Sequence, residues 1–567
     1  MRRALALAAA FFAAAALAQP QEAAIARRFM VAAANPHAVE AGVEVLRTGG
    51  SALDAAIAVQ MVLGLVEPQS SGIGGGAFLL HWSRAEKRVR SYDGRETAPA
   101  AARADRFLDS SGKPLAFTQA VASGLAVGVP GVLRMLELAH QRHGRARWAE
   151  LFEPAIRLAE QGFPMSPRLH RLLEKENALR DSAAARALFY GADDLPRPVG
   201  SPVRNPEYAA TLRAIAAFGA DAFYSGTIAA DIVAAVRSHA RPGDVTLEDL
   251  AGYHALEREP LCADYRDRRV CSMAPPGGGL SVLQILGILE RTGFRRAAPN
   301  SADAVHIFSE AGRLAYADRA RYLADPDFAA VPVAGLLDAA YLDARARLVG
   351  ERSLGRAEPG APRGAPAALG ERPGVEAAGT SHVSIVDVRG DAVSMTTTIE
   401  SPFGSRIMVR GFLLNNELTD FSFVPESGRR ADKDGARAVA NSVEAGKRPR
   451  SAMSPTLVFW RDGALQAALG SAGGAVIIGY IAKTLVAMLD WGLDAQGAVS
   501  LANFGSRNGP TEIERGSAYE ILAPALRARG HEVLLLDLNS GTQAIERARG
   551  GWRGGADPRR EGVARGE

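Results

Sequence analysis

Apolar residues recur at helical spacing in several long stretches of this chain. Such spacing places the apolar side chains on one face of a helix, which can then pack on a core. Gly49-Gly50 is placed to end the first of these helices, and Ser51 is placed to cap the second. Helices are predicted within "NPHAVEAGVEVLRTGG" at 35–50, "SALDAAIAVQMVLGLV" at 51–66, 131–173, 302–323 and "AVIIGYIAKTLVAMLDWG" at 475–492.

Other runs are short, apolar and rich in β-branched or aromatic residues, which predicts strands. Together with the helices they indicate an α+β protein, or a layered sandwich, rather than an all-helical one. These strand-like runs are "AFLLHW" at 77–82, "GFLLNN" at 411–416, "PTLVFW" at 455–460 and "ALQAALG" at 464–470.

Two further strand-like runs, Val383 to Val388 and Val393 to Ile399, are separated by the turn residues 389–392. The pattern predicts a β-hairpin. If its turn centres near Arg389 and Gly390, antiparallel pairing puts Thr380 about opposite Thr398, so that the two hydroxyl groups can touch.

The segment 353–379 is rich in Pro, Gly, Ala and Arg, which predicts an unstructured tether that ends at Thr380. A threonine becomes a nucleophile when a base takes its proton, and its own α-amine can do so once the peptide bond after Gly379 is cut. On these residues alone, the simpler interpretation is an ordinary strand threonine that follows a loop.

With 567 residues and 47% hydrophobic content, the chain can bury a large core and more than one layered unit. The 66 Lys and Arg nearly balance the 62 Asp and Glu, a formal +4, so composition indicates no nucleic-acid partner.

Residues 1–18 resemble a secretory signal peptide: two arginines, an apolar stretch from Ala4 to Leu17 and small residues before a cut after Ala18. The alternative is an uncleaved anchor helix, but the apolar run is shorter than the roughly 20 residues that span a bilayer. No later stretch predicts a membrane span. We therefore expect export, most plainly to the periplasm.

Cys262 and Cys271 are the two cysteines of the chain, and the residues between them can form a hairpin. Spacing alone leaves open a disulfide or two buried free thiols. Two cysteines without a histidine cluster exclude a Cys-based zinc site. The pair His140 and His143 is more typical of a surface feature than of a metal site, so we expect neither a metal nor a cofactor.

Three glycine-rich stretches invite a phosphate-binding interpretation. "GIGGGA" at 72–77 lies between a predicted helix and a strand, the reverse of the dinucleotide motif. "PPGGGLSVLQILGIL" at 275–289 lacks the residues of a P-loop and predicts a turn that opens a helix. "GSAGGA" at 470–475 joins a predicted strand to a helix, where backbone N–H groups can point at an oxyanion.

Nearly all of the expected mature chain, from about Val31 to Pro558, resembles the gamma-glutamyltransferase family. The resemblance is carried by long stretches in the family order, among them the two helix sequences above with "EPQSSGIGGGAFLL", "DGRETAP", "TSHVSIVD", "FGSRIMVRGFLLNNELTDFS", "GKRPRSAMSPTLVF", "GSAGGA" and "GTQAI". It implies an N-terminal-nucleophile hydrolase fold, a four-layer αββα sandwich. The family precursor cuts itself before the threonine of "TSH", which here would give residues 19–379 and 380–567 as a heterodimer.

The resemblance also implies a role for each matched residue. Thr380 would be the nucleophile, supported by the hydroxyl of Thr398, and the N–H groups of Gly473 and Gly474 would form the oxyanion hole. Arg95 and Ser451 would hold the α-carboxylate of the substrate, and Glu417 and Asp420 would hold its α-ammonium group. Two substrate-contacting positions depart from the family pattern: Glu400 stands where members usually carry Asn, and Ala452 where they carry a second Ser.

The implied activity is two-step acyl transfer from glutathione or related γ-glutamyl compounds to water, amino acids or dipeptides. Two alternatives remain. One is an acylase of the same fold that removes a glutaryl or cephalosporin side chain, and the other is an inactive homologue that binds peptides. A glutaryl group has no α-ammonium, so the acidic residues Glu400, Glu417 and Asp420 argue against the acylase.

Overall fold

The computed structural model describes residues 22–366, 369–370, 379–427 and 437–567. The predicted signal peptide at 1–18 lies outside the described residues, as does 371–378, the part of the predicted tether closest to Thr380. Within the described ranges, no helix has both the length and the apolar character needed to cross a bilayer.

The protein is built around two seven-stranded antiparallel sheets. The strands of both sheets are, in chain order, β1 Ala24–Ala26, β2 Met30–Ala33, β3 Gly76–Ser83, β4 Arg88–Gly94, β5 Leu256–Arg258, β6 Leu261–Tyr265, β7 Arg268–Ser272, β8 Ser381–Val386, β9 Ala392–Thr398, β10 Thr456–Trp460, β11 Leu465–Gly470, β12 Gln543–Ala548, β13 Gly551–Ala556 and β14 Val563–Gly566.

The first sheet has the strand order β14-β2-β8-β9-β3-β4-β5, and the second has the order β1-β13-β12-β11-β10-β7-β6. Both sheets therefore combine strands that precede Thr380 with strands that follow it. The two halves of the chain cannot be separate domains, because each sheet needs strands from both.

Helices cover the outer face of each sheet. The longer ones are α1 Pro36–Arg47, α2 Ala52–Val66, α3 Val132–His143, α4 Glu153–Gln161, α5 Pro167–Lys175, α6 Pro206–Phe218, α7 Gly226–Arg237, α8 Gly279–Glu290, α9 Ala302–Tyr322, α10 Ala339–Ala346 and α11 Ile477–Leu489. Shorter α-helices are Phe117–Val121, Ala183–Phe189, Asp221–Tyr224, Leu247–Ala251, Val333–Leu336, Ala495–Ser500 and Ala523–Ala528.

Three apolar clusters separate the layers. Val383 and Ile385 of β8 pack with Leu53 of α2 on the outside of the first sheet. Leu80 and Leu457 meet between the two sheets. A third cluster joins β10 and β11 to helices α8, α9 and α11 on the outside of the second sheet. The order helix, sheet, sheet, helix confirms the predicted αββα sandwich.

The predicted hairpin is confirmed, with strands β8 and β9 slightly shorter than the sequence pattern suggested. Val388 lies in the turn rather than in the strand, because the side chain of Asp387 accepts hydrogen bonds from the backbone N–H of Arg389 (2.9 Å) and Asp391 (3.1 Å). An acidic side chain that binds backbone N–H groups two residues on is typical of turns.

The strand predicted at 411–416 is mostly wrong. Phe412–Leu413 pairs with Met408–Val409 in a small two-stranded ladder, and Leu414 adds a single bridge to Gly74. Beyond it, the side-chain amide of Asn415 donates to the carbonyls of Gly74 (2.8 Å) and Gly128 (2.9 Å), so side-chain bonds to neighbouring loops replace a strand ladder.

The tether prediction is wrong for residues 353–366. This stretch forms neither helix nor strand, but buried groups of α9 hold it in place: Glu310 accepts from the N–H of Leu354 (2.9 Å), and Asp318 accepts from the N–H of Gly360 (2.8 Å). Ala357 is buried. Its Pro and Gly content excluded regular structure, but it could not reveal these tertiary contacts.

Cys262 and Cys271 lie opposite each other on β6 and β7 and form a disulfide. The sequence left open whether the two cysteines pair. They do, because the hairpin places them directly across from each other on adjacent strands. The disulfide closes the edge of the second sheet, away from Thr380.

Candidate active site

Thr380 lies immediately before β8 and is buried. The β8–β9 register pairs Ser381 with Thr397, so Thr380 falls opposite Thr398, as the hairpin predicted. The hydroxyl of Thr380 donates to the hydroxyl of Thr398 over 3.0 Å. The two threonines that the sequence brought together are therefore in direct contact.

The backbone of Thr380 is strained. Its φ of +84° lies in the left-handed region, which is unfavourable for a β-branched residue. The preceding residue, Gly379, is equally constrained: a Cβ there would lie 1.9 Å from the carbonyl oxygen of Glu400. The peptide bond between Gly379 and Thr380 is thus held in a tight, strained position beside the Thr398 hydroxyl.

His382 is the nearest histidine in sequence to Thr380, but it is not placed as a base. Burial lowers its pKa to about 3, so the ring is neutral at physiological pH. Its ring nitrogens bond to the hydroxyls of Thr396 (2.9 Å) and Ser384 (3.0 Å). The ring therefore supports the hairpin, and a base for Thr380 has to come from elsewhere.

Glu400 links the threonine pair to a group of acidic residues. Its backbone N–H donates to the Thr398 hydroxyl over 2.8 Å, so Glu400 directly contacts the partner of Thr380. The carboxylate accepts from the hydroxyl of Ser401 (2.5 Å) and from the side-chain amide of Asn416. Asn416 is a site residue that the sequence analysis missed.

Arg95 is fully buried, and its guanidinium pairs with both acidic residues of the short helical turn Glu417–Asp420. It donates to Glu417 and, over 2.6 Å, to Asp420. The carbonyls of Pro449 (3.0 Å) and Arg450 (2.9 Å) accept its remaining bonds. The structure thus brings Arg95, Glu417 and Asp420 together, but as partners of one another.

Four buried carboxyl groups lie near one another here, those of Glu96, Glu400, Glu417 and Asp420, and we call them the acidic cluster. Burial raises the pKa of Glu417 well above its usual range, and the charges of Glu96, Asp420 and Glu400 add to that rise against the effect of Arg95. Burial likewise raises the pKa of Glu96 to about 7. Glu96 was not among the site residues expected from the sequence, although it directly follows Arg95 in "DGRETAP".

The segment that carries Ser451 and Ala452 runs past Arg95. The hydroxyl of Ser451 accepts from the N–H of Met453 (3.1 Å), and Ser451 directly follows Arg450, whose carbonyl accepts from the Arg95 guanidinium. Ala452 packs with the apolar cluster outside the second sheet. The described contacts join Ser451 to the surroundings of Arg95, but not Ala452.

Gly473 and Gly474 form the turn between β11 and α11. Their φ values of 135° and 61° are conformations that favour glycine. β11 ends at Gly470, where a Cβ would lie 2.3 Å from the ring of His382, two residues after Thr380. The glycine turn therefore lies at the same end of the sandwich as Thr380.

A buried group of possible metal ligands lies elsewhere, at His306, Glu310 and His531. The ring nitrogens are already engaged: His306 bonds to His531 (2.7 Å) and to the carbonyl of Gly350 (2.8 Å), and His531 bonds to Thr511 (2.7 Å). Arg313 donates to Glu310 over 2.9 Å. These hydrogen bonds account for the group without a metal, and a guanidinium beside Glu310 opposes a cation.

Comparison with known proteins identifies relatives along most of the chain. The gamma-glutamyltranspeptidase family model matches residues 38–567. The glutathione hydrolase proenzyme of Bacillus subtilis strain 168 is 35% identical over 94% of this chain and 91% of its own length. The acylase ACY 1 proenzyme of Pseudomonas sp. strain SE83 is 34% identical over 89% of this chain and 87% of its own.

Among solved structures, the cephalosporin acylase from Bacillus halodurans superposes with a TM-score of 0.84 at 27% sequence identity, covering 99% of each chain. The match extends over both sheets and both helical layers, so the whole fold is shared. The chain therefore belongs to the gamma-glutamyltranspeptidase family, and it has the αββα fold of the N-terminal-nucleophile hydrolases.

Proposed function

We propose that the protein is a self-processing enzyme that cleaves γ-glutamyl amides, such as that of glutathione, and passes the acyl group to water or to an amino acid or dipeptide. The observation that carries this proposal is the contact between the Thr380 and Thr398 hydroxyls, next to an acidic cluster that suits an ammonium group. Family membership supports the reaction class.

Self-processing would begin with attack of the Thr380 hydroxyl oxygen on the carbonyl carbon of Gly379. The C–N bond breaks as the C–O bond forms, the Thr380 nitrogen takes up the proton, and the acyl group moves to the hydroxyl. Water then hydrolyses this ester and leaves two chains, 19–379 and 380–567. The strained φ of Thr380 favours the step, because cleavage releases the residue from its constrained peptide.

In the mature enzyme, the freed α-amine of Thr380 would act as the base. It takes the hydroxyl proton while the oxygen attacks the γ-carbonyl carbon of the substrate, and it returns the proton to the leaving amine. The N–H groups of Gly473 and Gly474 would stabilise the oxyanion. A γ-glutamyl ester on Thr380 results, and water or an acceptor amine then resolves it.

Recognition of the glutamyl head group would rest on Arg95 and the acidic cluster. The guanidinium suits the α-carboxylate, and the four carboxyl groups of the cluster suit the α-ammonium. The same cluster disfavours a glutaryl group, which would add a carboxylate without a compensating cation. Ala452 and Glu400 alter this pocket relative to the family pattern, and they leave the threonine pair intact.

The donor preference tests this proposal. Purified enzyme is expected to release p-nitroaniline from the L-γ-glutamyl anilide with a kcat/KM about 10²-fold above that for the glutaryl anilide, because only the former makes charged hydrogen bonds to the acidic cluster. Glu417→Gln should reduce the ratio of kcat/KM between the γ-glutamyl and the glutaryl anilide. A preference for the glutaryl anilide would establish an acylase, and a processed protein that cleaves neither would indicate an inactive homologue.

The cleavage site gives a second prediction. Gly379→Ala is expected to slow self-cleavage about 10- to 100-fold, because the new Cβ would collide with the backbone carbonyl of Glu400. The appearance of two fragments on a denaturing gel measures the rate. Gly350→Ala is a matched control, since nothing lies within 4 Å of a Cβ at that position. Equal cleavage rates for Gly379→Ala and the unsubstituted protein would contradict the proposed site.

Export to the periplasm is part of the same proposal. The Cys262–Cys271 disulfide suits an oxidising compartment. Mass spectrometry of the larger fragment should then show an N-terminus at residue 19.

A further inference from the structure

A second buried group of charged residues lies next to the backbone of Thr380. It consists of Glu67 at the end of α2, Arg168 in α5 and Arg560 in the segment between β13 and β14, and we call it the rear cluster. The three residues are 1%, 6% and 8% exposed. None of them was among the site residues expected from the sequence.

Both backbone groups of Thr380 are hydrogen-bonded here, the carbonyl by Arg560 of the rear cluster and the nitrogen by the adjacent Ser70. Arg560 donates from Nη1 to the carbonyl oxygen of Thr380 over 2.9 Å. The nitrogen of Thr380 donates to the carbonyl oxygen of Ser70 over 3.0 Å. After cleavage, that nitrogen becomes the α-amine, and the Ser70 carbonyl remains placed to accept one of its protons.

Ser70 is itself held by the rear cluster. Its hydroxyl donates to Glu67 over 3.2 Å, and its backbone N–H donates to the Glu67 carbonyl over 2.8 Å. Arg168 donates to the Glu67 carboxylate (2.7 Å) and to the Ser70 hydroxyl (3.2 Å). The Ser70 carbonyl, which accepts from the Thr380 nitrogen, is therefore held in place by the ion pair between Glu67 and Arg168.

We propose that Arg560 is a positioning residue for the reaction: it anchors the Thr380 carbonyl and, by its charge, keeps the neighbouring α-amine neutral so that this amine can act as a base. The inference rests on the proposed function, because the amine exists only after cleavage.

The physical basis is the charge of the guanidinium. An α-amine has an unperturbed pKa of about 7.7 to 8.0, so at neutral pH much of it would be protonated and unable to take a proton. A cation one carbonyl group away disfavours the ammonium form and lowers that pKa by roughly one to two units at the effective dielectric of a protein interior. Burial and the nearby Arg168 lower the pKa of Arg560 to about 9, so it is still charged at neutral pH.

The other charged groups near this point do not reverse the effect. Arg168 adds positive charge, while Glu67, Asp557 and Glu561 provide the opposing carboxylates of the same region. Tyr480 stays protonated, because burial raises its pKa. Near Thr398, Glu400 favours the ammonium form, and His382 is neutral. Of the cations, Arg560 alone bonds to Thr380 itself in the described residues.

The test is the pH dependence of kcat/KM for the γ-glutamyl anilide, measured on processed full-length protein between pH 5 and 10. Arg560→Gln keeps a donor for the carbonyl but removes the charge. For this variant, the midpoint of the acidic limb of the pH profile is expected to rise by about one pH unit. At pH values below that midpoint, kcat/KM should therefore fall about tenfold relative to the unsubstituted protein, and it should recover at high pH. Arg560→Lys, which keeps the charge, should stay within half a unit of the unsubstituted protein, about a threefold change.

Two further variants complete the design. Glu67→Gln removes an anion from the rear cluster, so its midpoint should move in the opposite direction, downward; it also provides the test if Arg560→Gln does not fold. Arg565→Gln is the matched control, because this arginine is exposed and pairs with Glu40 at the surface. A uniform loss of activity in Arg560→Gln and Glu67→Gln, with unmoved midpoints, would overturn the proposal. Absence of fragments or turnover in the unsubstituted protein would instead refute the proposed function.

Discussion

Thr380→Ala is expected to yield one uncut chain with no measurable γ-glutamyl amidase activity. The substitution removes the oxygen that attacks Gly379 during processing and the substrate carbonyl during turnover. Loss of a nucleophile removes most of the chemical rate enhancement, so kcat should fall by about 10⁴-fold or more. A denaturing gel and release of p-nitroaniline from the γ-glutamyl anilide measure the two effects separately.

Thr397→Val provides the matched control for this variant. Thr397 is buried in the same hairpin, one residue before Thr398, and it pairs with Ser381 in the ladder. The Thr397→Val variant should cleave itself and turn over substrate at nearly the rates of the unsubstituted protein. Thr380→Ser, which keeps a hydroxyl, should still be cut. Two fragments from Thr380→Ala would show that another group starts the cleavage.

Arg95→Met is expected to have the next largest effect, on stability as well as activity. Removing the guanidinium leaves Glu417 and Asp420 buried without their cation, and breaking such a buried pair costs about 3–5 kcal/mol of unfolding free energy. It also removes the group proposed to bind the α-carboxylate, so kcat/KM for the γ-glutamyl anilide should fall about 10²- to 10⁴-fold, chiefly through KM.

A double variant separates these two effects. Glu417→Gln in the Arg95→Met background removes one of the uncompensated carboxylates, so the unfolding midpoint should recover partly while activity stays low. Arg103→Met is the control, because Arg103 is an exposed arginine that pairs only loosely with exposed Asp105 (3.7 Å). Unchanged KM in Arg95→Met would show that the head group is bound elsewhere.

Local patterns of apolar and polar residues predicted much of the fold. The spacing of apolar residues located α1, α2 and α9, and the capping role predicted for Ser51 is confirmed by its bond from the N–H of Asp54 at 3.1 Å. The hairpin could be predicted because strand alternation and a short turn set its register within a few residues. That register was enough to place Thr380 beside Thr398.

Patterns failed where a segment depends on distant partners. Residues 353–366 have the composition of a tether, yet Glu310 and Asp318 of α9 hold them. The run at 411–416 has the composition of a strand, yet Asn415 and Asn416 bind neighbouring loops instead. In both cases the deciding hydrogen bonds join residues far apart in the chain, which no local window contains.

The sequence by itself therefore determined the elements, the family and the threonine pair, because these follow from short-range periodicity and from ordered motifs. The tertiary structure decided how the charges are arranged. It placed Glu96 and Glu400 close to Glu417 and Asp420, the two partners of Arg95, and it placed Arg560 at the carbonyl of Thr380. Pairing of buried charges depends on distance and on removal from water, and only the folded chain sets both.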